Sequence, residues 1–267
     1  MDLGIFSAYE NKKVKRWYSI LNHLTRLRNQ DFDFLNLGYF PIDIEENDKY
    51  NFISNDFKNN ITNRQELLYY SLLENMPKGL QNIAEIGSGF GGGARILNKY
   101  FHPQNYFGFD VNRYSIDKCN RKFKGTQNFV FKNSDYQNFI KKGTSYDAIV
   151  SLEASLHFED VSIFYKNVRN SLPMDGHFYY GDIFENDRIT AIEALFKQLN
   201  LKITNKRDVT EQVVNSIYLT GKPSRLNSIL HKFFLGNDNL DFSVDTKMYK
   251  KLKNRECLYL FYEIVKY

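Results

Sequence analysis

The chain has 267 residues, a net charge of +5 and 42% hydrophobic residues. That length suits one large α/β domain with additions or two small domains, and we favour one domain with a cap. No window approaches the roughly 18 apolar residues that cross a bilayer, which argues against stable membrane insertion. The two cysteines form neither a disulfide framework nor a metal spacing, and the first ten residues lack a signal-peptide pattern, so we expect a cytoplasmic protein.

The positive charge comes with abundant Lys, Asn, Ile, Phe and Tyr, a composition that a genome bias also produces. We therefore predict no nucleic-acid partner, and no motif for base flipping is visible. The five histidines show no short ligand spacing, so we expect no metal. The sequence does not decide whether the protein forms a homo-oligomer.

The first part of the chain is predicted to form a helical lid over residues 1–76. Apolar residues recur at helical spacing over Asn11–Arg28, with basic residues largely off that stripe. We expect this amphipathic helix to pack on the domain; contact with a membrane surface or a lipid substrate is the alternative. The segment Asp31–Asn60 is predicted to be irregular, and a second helix is predicted over Gln65–Met76.

Strand and helix patterns alternate through residues 77–267, the main domain. The predicted strands are Gln81–Ile86, Tyr106–Asp110, Asn128–Phe131, Tyr146–Leu152, His177–Ile183, Leu201–Arg207 and Glu256–Val265. The predicted helices are Gly92–Tyr100, Ser115–Phe123, Asp160–Ser171, Asn186–Leu199 and Val209–Leu235, the last within a lid insertion at about 209–253. This alternation predicts a doubly wound α/β fold with a mostly parallel seven-stranded sheet and helices on both faces. Since no helix follows the last strand, it is predicted to be an antiparallel edge strand.

The first of these strands leads into a glycine-rich turn. Glycine reaches positive φ without strain and lets the backbone approach a ligand closely. The turn satisfies the spacing Gly-x-Gly-x-Gly after an acid, through Glu85, Gly87, Gly89 and Gly91, and Gly92 completes the dinucleotide spacing Gly-x-Gly-x-x-Gly. We expect a cofactor against this turn, although the spacing alone does not choose which cofactor; a turn without any ligand is the alternative.

Polar residues follow the carboxyl ends of the other strands, where doubly wound sheets bind their ligands. These residues are Asp110, the pair Asp135 and Tyr136, the run Ser151–Phe158, and Asp182. A carboxylate at Asp110 can accept hydrogen bonds from ribose hydroxyls, and Asp135 can accept one from an adenine amino group. Each acid also has an ordinary role as a helix cap or turn residue. Taken together, they favour a nucleoside-type cofactor.

The runs Glu85–Gly91, Gly108–Asp110, Asp135 and Tyr146–Ser155 occur in the order of the motifs of a known family. They resemble the class I S-adenosylmethionine-dependent methyltransferases. The resemblance extends from about Asn36 to the carboxyl terminus. It is closest to small-molecule O-methyltransferases of the phthiotriolone dimycocerosate type, and extends more widely to the sterol and tocopherol methyltransferases.

The resemblance implies the cofactor S-adenosyl-L-methionine, with Gly87, Ser88 and Gly89 along its methionine moiety. It also implies that Tyr39 covers the cofactor, because Asn36–Phe40 resembles an Asn-x-Gly-Tyr-Trp element of the family. The predicted cofactor-binding residues are Tyr39, Glu85, Gly87, Ser88, Gly89, Asp110, Val111, Asp135, Tyr136 and Leu152.

The function implied by the resemblance is methyl transfer to a hydroxyl. A lid rich in Phe, Tyr and Leu favours an apolar acceptor such as a polyketide, a lipid or an aromatic natural product of secondary metabolism. His157 is predicted to be the general base, with Glu153 orienting it or the acceptor. Many relatives have two adjacent histidines here, whereas in this chain Phe158 follows His157. The alternatives are C- or N-methylation, a nicotinamide-dependent oxidoreductase, and a cofactor-binding module without activity.

Overall fold

Seven strands form one sheet in the computed structural model, which describes residues 33–139, 145–220 and 247–267. The strands are β1 Asn82–Ile86, β2 Asn105–Asp110, β3 Phe129–Asn133, β4 Ala148–Leu152, β5 His177–Glu185, β6 Leu201–Asp208 and β7 Cys257–Lys266. Their spatial order is β3-β2-β1-β4-β5-β7-β6. The first five strands are paired in parallel, whereas β7 is antiparallel to both β5 and β6. The predicted doubly wound, mostly parallel sheet is confirmed.

Helices cover both faces of this sheet. They are α1 Ile44–Lys49, α2 Ile61–Leu73, α3 Gly92–Ile96, α4 Arg113–Lys122, α5 Val161–Ser171, α6 Ile189–Gln198, α7 Thr210–Thr220 and α8 Lys247–Lys253. Leu67 of α2 and Val213 of α7 belong to the core on one face, and Phe164 of α5 and Phe196 of α6 to the core on the other. None of the helices in the described ranges is long and apolar enough to cross a membrane.

Side-chain caps determine where several helices begin. Asn60 accepts hydrogen bonds from two backbone N–H groups at the start of α2, and Asn112 does the same for α4. Asp160 caps α5 by accepting from Ser162 N, so the predicted first residue of that helix is its cap. Each cap satisfies backbone donors that the helix itself leaves unpaired.

The last strand is antiparallel, as predicted, but it lies between β5 and β6 instead of at the edge. Its residues Tyr259–Tyr262 are all buried, which requires neighbouring strands on both sides and helices on both faces. The edge on this side of the sheet is β6, whose residues after the buried Leu201 alternate between exposed and half-buried positions. Such alternation is typical of a strand with one solvated face.

The segment predicted to be an irregular lid contains the helix α1, which begins where the Asp43 side chain accepts from Glu46 N at 2.8 Å. Leu67 and Leu72 in α2 are fully buried in the same core cluster as Ile83 of β1. The helix α8 was not predicted. The predicted helix Asn11–Arg28 and most of the predicted stretch Val209–Leu235 lie outside the described residues. The division at residue 76 stays a prediction.

Candidate active site

The glycine-rich turn joins β1 to α3 at the carboxyl edge of the sheet. Gly87 and Gly91 both have φ of 84°, the left-handed region that favours glycine. The N–H groups of Gly87 and Ser88 both donate to Phe109 O, at 2.8 and 3.0 Å, which folds the turn back over the end of β2. A Cβ on Gly87 would lie 2.5 Å from the Cβ of Ala154, so the turn also packs against the residues that follow β4.

Polar groups in and beside this turn are suited to a ligand. The buried hydroxyl of Ser88 has no hydrogen-bond partner among the described residues. The Asp110 carboxylate accepts from Gly89 N and from Asn112 N, one bond to each oxygen, both at 2.8 Å. Since a carboxylate oxygen accepts two bonds, each can also accept one from a ribose hydroxyl. Val111, 61% exposed, adds an apolar surface next to Asp110.

Glu85 lies behind the glycine turn. Its carboxylate accepts a hydrogen bond from Tyr69 OH at 2.6 Å and another from Tyr106 OH. Burial raises the pKa of Glu85 to about 7. A side chain on Gly93 would collide with both Glu85 and Tyr69, so the carboxylate packs directly against the start of α3. These contacts favour an indirect contribution of Glu85 to cofactor binding, through support of the turn.

The predicted adenine residues follow β3. Asp135 accepts from Gln137 N at 3.0 Å and from Asn138 Nδ2 at 2.8 Å, as an ordinary turn residue does. The ring of Tyr136 stacks on Phe158 with centroids 4.1 Å apart, so one of its two faces is covered. Their role toward adenine stays a prediction.

Residues 33–40, which we call the strap, cross the glycine turn. Phe34 packs where any side chain on Gly92 would stand. Farther along, Leu37 N donates to Glu153 Oε1 at 3.0 Å, and Phe40 N donates to Gln212 O at 3.1 Å. The strap therefore runs from the start of α3 to the end of β4, over the edge where the cofactor is expected.

Tyr39 belongs to the strap, but its side chain is directed into the core. It is 2% exposed, its hydroxyl donates to Glu46 Oε1 at 2.8 Å, and its ring packs edge-on against Tyr50. These contacts favour a structural role, and a cofactor role for Tyr39 stays a prediction. The strap residue that reaches the end of β4 is Leu37, through its backbone N–H; the sequence carries no signal for such a donor because every residue except proline has one.

Glu153 directly follows the buried Leu152 at the end of β4 and has a left-handed φ of 52°. Its Oε1 accepts from Leu37 N at 3.0 Å and from Tyr259 OH at 2.7 Å. Burial, with the nearby charge of Asp182, raises the pKa of Glu153 to about 8, so the carboxyl group is largely protonated at neutral pH. Tyr259 was not among the predicted site residues.

His157 ends a short 3₁₀ turn, Ser155–His157, and its imidazole lies outside the described part of the chain. Two backbone donors of this turn, Ser155 N and Leu156 N, bind Asp182 Oδ2 at 2.9 and 3.2 Å. Asp182 therefore caps this turn, and not the helix that follows β5. The described ranges contain no group of three or more His, Cys, Asp or Glu side chains that could hold a metal ion. The assignment of His157 as the base stays a prediction.

The doubly wound sheet, the glycine turn and the acid at the end of β2 define a Rossmann-like, cofactor-binding α/β protein. Residues 84–178 match the family described as a methyltransferase domain. The chain is 28% identical over 229 residues to the phthiotriol/phenolphthiotriol dimycocerosates methyltransferase of Mycobacterium tuberculosis, covering 83% of this chain and 78% of that protein. It is 27% identical over 197 residues to the fatty-acid O-methyltransferase of Mycolicibacterium smegmatis, covering 72% and 68%.

Among solved structures, the O-methyltransferase of a trans-AT PKS multienzyme of Brevibacillus brevis, in complex with S-adenosyl-L-homocysteine, has the same fold. Its TM-score is 0.62 at 17% identity, covering 89% of this chain and 85% of that one. The matched domain and these relatives support the resemblance to the class I S-adenosylmethionine-dependent methyltransferases, with S-adenosylmethionine as the cofactor. The nicotinamide-dependent oxidoreductase considered from the sequence is thereby set aside.

Proposed function

We propose that this methyltransferase transfers the methyl group of S-adenosylmethionine to a hydroxyl of a largely apolar small molecule, a lipid or a polyketide. The observation that carries the proposal is that the residues following β4 lie against the glycine turn. Ala154 packs against Gly87 of the glycine turn, so Glu153 and the turn that ends at His157 lie next to the predicted cofactor site. The activities after which the two mycobacterial relatives are named support a lipid-like acceptor.

Two buried free cysteines, Cys119 and Cys257, support a cytoplasmic location.

The cofactor supplies a methyl group on a sulfonium, which leaves as a neutral thioether. The protein has to align the acceptor oxygen with that methyl group, exclude water and take up one proton. The glycine turn and Asp110 would hold the cofactor, whose sulfur–methyl bond would break as the methyl–oxygen bond forms. The hydroxyl proton of the acceptor passes to the imidazole of His157 in this proposal.

Glu153 is suited to orienting the acceptor. With a pKa of about 8, its carboxyl group carries a proton at neutral pH, and Oε1 already accepts two hydrogen bonds. The proton on Oε2 can then be donated to the acceptor oxygen. Because a protonated carboxyl group is a poor proton acceptor, these contacts favour His157 over Glu153 as the base.

Replacing Asp110 by alanine should weaken the binding of S-adenosylmethionine by about 1–3 kcal/mol, the range for hydrogen bonds to a charged group. The variant loses the acceptor for ribose hydroxyls and the acceptor that fixes Gly89 N. Calorimetric titration measures the affinity. Asp117→Ala, which removes the same charge from an exposed position of α4, is the matched control. Equal affinity in Asp110→Ala and wild type would remove Asp110 from the cofactor site.

The acceptor class is tested with methyl-labelled S-adenosylmethionine and four probes: a long-chain alcohol, a polyketide alcohol, a polar sugar, and an amine matched in length to the first alcohol. We expect label on the oxygen of the two apolar alcohols, identified by mass spectrometry of the product. Label on nitrogen or carbon would establish one of the other transfer reactions. Transfer to the sugar alone would contradict the apolar acceptor.

A further inference from the structure

Asp182 is a fully buried carboxylate with no role in the proton transfer proposed above. Its Oδ2 accepts from Ser155 N, from Leu156 N and, at 2.6 Å, from Ser155 Oγ, while Oδ1 accepts from Ile183 N at 2.8 Å. With these four donors and no exposed surface, an acceptor molecule has no access to the carboxylate. Asp182 is therefore unsuited to being the general base itself.

A buried carboxylate is costly unless hydrogen bonds compensate it, and three of these four bonds go to one short segment. The same segment is held by a second group on β5. The Ser155 hydroxyl contacts Tyr180 OH, which in turn lies 3.0 Å from Tyr165 OH of α5. Ser155, Tyr180 and Asp182 are all fully buried. The first residue of the turn is thus joined to β5 through both its backbone and its side chain.

The segment is also fixed where it leaves β4. Glu153 N donates to Gly181 O at 2.9 Å, so two successive residues of β5, Gly181 and Asp182, bind residues 153–156. Between these attachments Ala154 packs against Gly87 of the glycine turn. A shift of the segment would therefore change the position of His157 relative to the predicted cofactor site.

We propose that Ser155 and Asp182 are positioning residues, which fix the turn that carries His157 at the distance from the cofactor that the reaction needs. The inference rests on the proposed function, since it attributes the effect of these two residues on turnover to the position of the base His157. It predicts that these two residues act on turnover through His157 and leave cofactor binding unchanged.

The test is Ser155→Ala, which removes the side-chain bond to Asp182 and leaves the backbone bonds. We expect kcat to fall about 10–100-fold, because a displacement on the order of 1 Å can cost about 10²-fold in rate. The dissociation constant of S-adenosylmethionine should stay within threefold of wild type. Ser171→Ala is the matched control: this serine is also fully buried, and its hydroxyl has no partner among the described residues. Asp182→Asn should give a loss at least as large, because an amide places a donor opposite Ile183 N or Ser155 N.

A double variant separates this inference from the proposed function. If Ser155 acts through the base, Ser155→Ala combined with His157→Ala should be no slower than His157→Ala alone. Losses that multiply would overturn the positioning role, as would full turnover of Ser155→Ala. Full turnover of His157→Ala would instead refute the base, and the positioning role with it. Thermal melting of each variant identifies any that fails to fold, and Tyr180→Phe, which also removes a bond to Ser155, then serves in place of Ser155→Ala.

Discussion

His157→Ala should lower turnover by roughly 10²–10⁴, the range for loss of a general base, while the affinity for S-adenosylmethionine stays within a few-fold. The reason is that an alcohol oxygen is a weak nucleophile until its proton is removed, whereas the cofactor is held by other residues. Single-turnover transfer of labelled methyl at saturating cofactor measures the rate, and calorimetry measures the affinity.

The pH dependence gives a second readout of the same prediction. Because only the neutral imidazole accepts a proton, wild-type turnover should fall as the pH drops through the pKa of the base. His157→Ala should lack this inflection. His102→Asn is the control, since His102 is exposed, lies near the opposite end of the sheet before β2, and has a left-handed φ of 51° that asparagine tolerates. Near-full turnover of His157→Ala across this pH range would contradict the role of His157 as a base, and the site would then act only by positioning the acceptor.

Glu85→Gln should make the protein more stable than wild type at pH 8, by about 3 kcal/mol, and about equally stable at pH 4.5. The pKa of Glu85 rises from 4.5 in the unfolded chain to about 7 in the fold, and each unit corresponds to roughly 1.4 kcal/mol. Between these values the folded state keeps a proton that the unfolded state has lost. The free energy of unfolding of wild type therefore falls as the pH rises through this window.

Glutamine reproduces the protonated carboxyl group, since it still accepts a hydrogen bond from one tyrosine hydroxyl and donates one to the other. Urea unfolding of both proteins at pH 4.5, 6 and 8 measures the difference. The pKa values of Glu153 and Asp182 are also raised by burial. These two groups change the free energy of unfolding with pH equally in wild type and in Glu85→Gln, so the difference between the two proteins reports on Glu85 alone. Glu211→Gln, at an exposed position of α7, should show no such trend. A difference between Glu85→Gln and wild type that does not vary with pH would contradict the buried, proton-sharing environment of Glu85.

The seven strands, most of the helices between them, the glycine turn and the place of Asp110 at the end of β2 were predictable from the sequence. The physical reason is that each depends on neighbours within a few residues. Apolar periodicity distinguishes strand from helix, and a run of glycines marks backbone with positive φ. The rule that ligands bind at the carboxyl ends of parallel strands placed Asp110 at the same edge of the sheet as the glycine turn, and in the fold its carboxylate accepts from Gly89 N.

Other features of the site depend on residues that are distant in the sequence. Leu37 N reaches Glu153 across 116 positions, and Asp182 binds Ser155 across 27. A backbone N–H is common to almost every residue, so its use by Glu153 leaves no pattern to read. Burial likewise decided the protonation state of the carboxyl groups, because a carboxyl group enclosed by the fold keeps its proton at a pH where a solvated one has lost it.

The position of the last strand was decided in the same way. Its alternating pattern indicated a strand, and the missing helix indicated its direction, but a pattern within one strand does not identify its neighbours. Only the folded sheet placed β7 between β5 and β6, where its buried residues pack on both faces. The sequence thus determined the strands, most of the helices and the residues at the strand ends. The tertiary structure decided which of those residues meet, since that depends on pairing and burial across the whole sheet.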